Sequence, residues 1–120
     1  MSRPRFPRRV YDVGEEPDPR FSLANERTFL AWIRTALALV AAGVALDAFA
    51  ADMEPGLRLA AAVVLLLLGA AVPLLAWLTW MDVERALRRA TPLPSSRVAL
   101  PVAVGIGAAA VLLGIGILVR

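Results

Sequence analysis

Apolar residues gather in three long blocks, roughly 29–51, 57–80 and 98–119, divided by short polar stretches. Each block is close to the ~20 residues that carry a helix across a hydrocarbon core of ~30 Å. At that length in lipid, a helix satisfies its own backbone donors and acceptors. The pattern therefore predicts an all-α integral membrane protein with three transmembrane helices, at about residues 22–51, 57–90 and 98–119, after a tail over 1–21. Ser22 reads as the N-cap of the first helix, with Glu26 near its first turn. Asp52, Met53, Glu54, Pro55 and Gly56 form a turn short enough to make the first two helices antiparallel neighbours. A second break falls at Thr91–Ser96. Pro73 should kink the second helix, and Pro101 fits the first turn of the third.

Composition sharpens this reading. At 120 residues, 59% hydrophobic content and a mean hydropathy of +0.69 are too apolar for a water-soluble domain. Cys and His are both absent, which excludes disulfides, thiol nucleophiles, the usual zinc and haem ligand sets and a neutral-pH proton shuttle. Pro4, Pro7, Pro17 and Pro19 among many charges mark residues 1–21 as a flexible basic tail. No cleaved signal peptide is expected, because the first apolar block starts near Phe29 and is much longer than a signal h-region. Arg8-Arg9 is followed by Asp12, Glu15, Glu16 and Asp18 rather than by an apolar run, which argues against a twin-arginine signal.

Arginine asymmetry predicts the orientation, since cytoplasmic flanks of membrane helices accumulate positive residues. One side holds Arg3, Arg5, Arg8, Arg9, Arg20, Arg27, Arg85, Arg88, Arg89 and Arg97, and the other only Arg58 and Arg120. The N-terminus is thus expected in the cytoplasm and the C-terminus outside. Trp32, Trp77 and Trp80 then fall together at the cytoplasmic interface, where indole rings prefer to lie.

The charges nearest the hydrocarbon are the candidate functional residues. Arg27 and Arg34 are two helical turns apart and share a face, which Arg20 extends if the helix begins early and Ala38, Ala41, Ala45 and Ala48 continue. Such a stripe would line an anion-attracting vestibule or a close helix contact; alternatively Arg34 snorkels to headgroups and Arg27 meets lipid phosphate. Asp47 reads as interfacial, and Glu26 as the partner of a nearby Arg or of the helix N-terminus. Beyond the second span, Glu84 and Arg88 are spaced for an i,i+4 pair. Arg85, Arg88 and Arg89 either rest on anionic lipid or complete a basic collar with Arg20 and Arg27. In the third helix Ala103, Gly107, Ala110 and Gly114 form a small-residue stripe suited to close helix packing. Gly105, Gly107 and Ala110 echo a dinucleotide fingerprint without its preceding strand or downstream acid. No triad, P-loop, carboxylate pair or metal cluster can be assembled, so no enzyme, cofactor or metal is expected.

The stretch Arg20-Phe-Ser-Leu-Ala-Asn-Glu-Arg-Thr-Phe-Leu-Ala-Trp-Ile-Arg-Thr-Ala-Leu, with Gly43-Val-Ala-Leu-Asp47 after it, closely resembles the bacterial YidH family of inner-membrane proteins. Val83-Glu-Arg-Ala-Leu-Arg88 is a second, weaker echo. The resemblance implies three transmembrane helices and a domain of unknown function. The same domain resembles the membrane part of the eukaryotic vacuolar transporter chaperone, a polyphosphate polymerase whose helices form a conduit for the polyanion. From that likeness Arg20 and Arg27 occupy positions at the mouth of such a conduit, while the basic position after helix two falls on Val83 beside Arg85; Asn25 and Glu26 are read as supporting residues beside them. The expectation is a homo-oligomer in the inner membrane, in contact with lipid and not nucleic acid, whose Arg20, Arg27, Arg34, Arg85 and Arg88 attract a phosphate-rich anion. The rival expectation is a non-conducting accessory or scaffold subunit.

Overall fold

A computed structural model describes residues 4–120; Arg3, counted with the basic tail above, lies outside the described residues. The element order is α1 (Arg8–Tyr11), α2 (Pro19–Phe49), α3 (Pro55–Arg89) and α4 (Ala99–Leu118). The last three are each long and apolar enough to cross a membrane. With 35 residues, α3 is about 52 Å long, which exceeds the hydrocarbon core and carries its polar last turns beyond it.

The helix starts follow from local chemistry. α2 begins earlier than the sequence implies, because Pro19 occupies its first turn, where a missing N–H costs nothing. Its cap is Asp18, whose Oδ1 accepts from the Arg20 backbone N–H at 2.9 Å, and not Ser22. Hydrogen bonds from the Arg20 side chain and then its backbone N–H hold the Asp18 carboxyl below the ordinary range. Pro55 likewise opens α3, one residue after Glu54, which accepts from the Leu57 N–H at 2.7 Å. At the other end of α3, Ala90 takes a left-handed conformation that reverses the chain toward α4. Arg97 then ties this loop back to α3 through Asp82 at 2.9 Å and, by its N–H, through the Thr79 hydroxyl at 3.2 Å.

α3 is the central helix. Among the described residues α2 and α4 approach α3 but not each other within 8 Å between Cα atoms. Asn25, Ala36, Leu39 and Gly43 are the buried positions of α2, spaced by threes, fours and their sums along one face. A Cβ added at Gly69 would lie 2.7 Å from Val40 Cγ2 and 3.2 Å from the Ala36 carbonyl oxygen, so α2 and α3 approach nearly backbone to backbone there. Close approach matters in lipid, where apolar side chains gain little by leaving one apolar medium for another and van der Waals fit holds helices together.

The packing face of α4 differs from the small-residue stripe. Val102, Ala109 and Gly116 are its buried residues, whereas Ala103, Gly107, Ala110 and Gly114 are all exposed. A Cβ on Gly105 would lie 2.5 Å from Leu68 Cδ2 and one on Gly116 2.5 Å from Met53 Cε, while Gly107 and Gly114 face open space. α4 offers two rows of small residues, and only the row flanked by Val102 matches the surface of α3. The Glu54 N–H, donating to the Gly116 carbonyl at 3.4 Å, fastens the α2–α3 turn to the far end of α4.

Candidate functional site

Polar chemistry concentrates where the N-terminal ends of α2 and the last turns of α3 meet. Glu84 is only 2% exposed, and its carboxylate accepts from the Ser22 hydroxyl and the Asn25 amide, each at 3.1 Å. The Asn25 amide also donates to the Trp80 carbonyl at 3.1 Å. Asn25 thus bridges two groups of α3 from one position on α2. Both donors are neutral, and among the described residues no basic side chain pairs with Glu84 at salt-bridge distance. A buried carboxylate must be hydrogen-bonded to persist, which makes Ser22 and Asn25 structural necessities of this end of the bundle.

Arg88 does not pair with Glu84. Its guanidinium turns to the N-terminal segment, where Nε donates to the Val13 carbonyl at 2.8 Å and NH2 to the Tyr11 carbonyl at 3.1 Å. A longer contact of 3.4 Å reaches the Glu16 carboxylate. The Glu15 N–H returns a bond to the Arg88 carbonyl at 2.9 Å. Gly14, with φ of +60°, passes so close that a Cβ there would lie 2.0 Å from that carbonyl oxygen. Only glycine meets both demands at position 14. Residues 5–16, which the proline-rich sequence marks as flexible, are therefore laid along α3.

From this clamp the segment climbs back along α3. Tyr11 meets Trp80 with ring centroids 6.4 Å apart, and Phe6 stacks on Trp77 at 6.1 Å. Phe29 of α2 contacts Trp77 edge-on at 6.1 Å, and Trp77 stacks on Trp80 at 5.1 Å. Aromatic rings from three segments thus form one belt. Arg5 lies 4.3 Å over the Tyr11 ring and forms a two-pronged ion pair with Glu16, whose hydrogen bonds hold the Glu16 carboxyl below its ordinary range. A recess of about 260 Å³ beneath is lined by Arg5, Glu16, Glu26, Trp77 and Glu84, among others.

The five arginines expected to form one collar are dispersed. Arg88 is enclosed by the tail, with a side chain only 7% exposed. Arg85 and Arg89 line a separate recess of about 280 Å³ with Asp82, Thr91, Pro92 and Pro94, and Arg85 Nε is buried there without a hydrogen-bond partner among the described residues. Arg20 pairs with Asp18 at 2.8 Å. Arg27 and Arg34 are exposed, as are Ala38, Ala41, Ala45 and Ala48, so this whole face of α2 is turned away from α3. Glu26 lines the Glu84 recess rather than a described ion pair. Glu84, Ser22 and the Arg88 clamp were not legible as a site beforehand. An acid whose only obvious partner was four residues away concealed its real one on another helix.

The model of the domain of unknown function DUF202 matches residues 20–86, more than half of the chain. The inner membrane protein YidH of Escherichia coli (strain K12) is 48% identical over 87 residues, covering 72% of this chain and 76% of that protein. This chain belongs to the YidH (DUF202) family. An uncharacterized protein of Mycobacterium tuberculosis, Rv2272, is 51% identical over 80 residues, 66% of each chain. No solved structure matches the chain. The DUF202 match spans α2, the α2–α3 turn and α3 through Ala86, and so includes Ser22, Asn25 and Glu84 but neither Arg88 nor the tail. Membership of the YidH family and three apolar helices give the chain a multi-pass location in the inner membrane.

Proposed function

We propose that the protein is a homo-oligomer of the inner membrane, with its N-terminus in the cytoplasm and its C-terminus outside, in which Arg20, Arg27 and Arg34 of neighbouring copies line a cytoplasmic vestibule that attracts a phosphate-rich anion. The observation that carries this reading is the exposure of Arg27 and Arg34 on the one face of α2 opposite α3. Phe29 marks the aromatic belt, and Arg34 lies five residues further, about 7 Å deeper along the helix. An arginine facing lipid costs at least ~2.5 kcal/mol at the bilayer centre and less at this depth, and a second copy or a watery axis removes what penalty remains. The alanines above it leave room for close helix approach. Arg88 is committed to the tail and Arg85 to a different recess, so the vestibule rests on α2 alone.

The test is binding and flux of polyphosphate in reconstituted vesicles for the native chain, Arg27→Gln and Arg34→Gln at two salt concentrations. Binding should fall in both variants and, at an exposed mouth, weaken as salt rises. No anion binding by the native chain at low salt would leave the second reading, an accessory subunit. That reading draws on the unpartnered Ala103, Gly107, Ala110 and Gly114 face of α4, which offers a smooth surface to a partner helix.

A further inference from the structure

Residues 6–9 occupy an unexpected depth. The clamp on Arg88 holds Tyr11 and Val13, yet Phe6 reaches Trp77, eleven residues earlier on α3 and about 16 Å nearer the hydrocarbon. Trp77 and Trp80 close the apolar stretch of α3, the level at which indoles settle between headgroups and acyl chains. The tail therefore returns to the membrane surface instead of leaving it. Val10, fully buried, and Pro7, also buried, anchor this return, while Phe6 is 82% exposed.

Beside this anchor is a groove of about 440 Å³ lined by Phe6, Pro7, Arg8, Arg9, Trp77 and Met81. Its walls are apolar apart from two exposed arginines, neither of which takes part in an ion pair among the described residues. An apolar wall at interfacial depth with two free cations beside it is complementary to one class of molecule: an amphiphile with an anionic head. We infer that this groove binds an anionic phospholipid from the leaflet on the N-terminal side, its phosphate held by Arg8 and Arg9 and the start of its acyl chain lying on Phe6, Trp77 and Met81. The site is formed within one chain and is independent of the α2 face.

The experiment uses the full chain purified in mild detergent, mixed with equal amounts of phosphatidylglycerol and phosphatidylcholine, with retained lipid counted by native mass spectrometry. The native chain should retain phosphatidylglycerol preferentially. Replacing both Arg8 and Arg9 by Gln should cut that preference by about five-fold per lost charge. Phe6→Ala should weaken retention of both lipids while keeping the preference. Arg120→Gln, exposed at the opposite end of the bundle, should leave it unchanged. Equal preference in the native chain and the double variant would overturn the assignment, as would loss of the preference in Arg120→Gln alone. Displacement of the lipid by millimolar inorganic phosphate would also overturn it, by showing a bare anion site. All four proteins should melt alike, because Phe6, Arg8, Arg9 and Arg120 are all exposed; a double variant that unfolds is replaced by single Arg8→Gln and Arg9→Gln chains read the same way.

Discussion

Asn25 of α2 donates its side-chain amide to the buried carboxylate of Glu84 of α3 at 3.1 Å. The same amide reaches the Trp80 carbonyl, so one side chain satisfies two acceptors on the neighbouring helix. This makes Asn25 a fastening between helices, a role distinct from support of an anion-binding mouth.

Replacing Asn25 by Ala should therefore destabilise the protein by about 1–3 kcal/mol, the usual cost of stranding a buried polar group. Asn25→Asp should be worse, since it sets a second carboxylate against Glu84 where an amide donated before. Glu84→Gln, which keeps an acceptor for Ser22, should be the mildest. Thermal unfolding in detergent gives the order, and an Asn25→Asp protein as stable as the native one would contradict it.

Gly14 and Arg88 form the second fastening, and it holds the tail alone. Gly14→Val or Arg88→Ala should free the backbone around the exposed Arg8 and Arg9, so that trypsin cuts there many-fold faster, while the unfolding temperature of the membrane helices hardly moves. Unchanged cleavage in Gly14→Val would mean that the tail does not need the close passage over the Arg88 carbonyl.

Acid should loosen the same segment. The folded Glu16 carboxyl, lowered first by its hydrogen bond from Arg5, titrates below its unfolded value. Its contribution is therefore complete above the unfolded value and is lost as pH falls through the folded one. Protection of residues 8–16 against hydrogen exchange, taken relative to the intrinsic rate at each pH, should fall below about pH 4, the ordinary carboxylate range. Glu16→Gln should flatten that response, and an equally steep one in the variant would assign it to another group.

In α4, Gly105→Leu should destabilise by about 1–3 kcal/mol through overpacking against Leu68, whereas Gly107→Leu should leave the unfolding temperature of the single chain unchanged. If Gly107→Leu instead lowers the oligomeric mass seen by light scattering, the exposed stripe faces another copy. A larger loss of stability at Gly107 than at Gly105 would mean the helix is rotated.

The number, length and approximate ends of the spanning helices were determined by the sequence alone, because crossing hydrocarbon is a matter of local length and transfer free energy that each segment meets by itself. The helix starts shifted by a few residues, to Pro19 and Pro55, because cap geometry outweighs the start of the apolar run. Which face of each helix meets protein was decided only in the tertiary structure. Lipid and protein interior are both apolar, so hydropathy does not separate the row of Val102, Gly105 and Ala109 from that of Ala103, Gly107 and Ala110; the fit of Gly105 against Leu68 does. The tail was beyond the reach of the sequence for a related reason. Its ordering depends on Arg88 bonding to Val13 across 75 residues, and a segment with few apolar residues orders only where another element satisfies its backbone carbonyls.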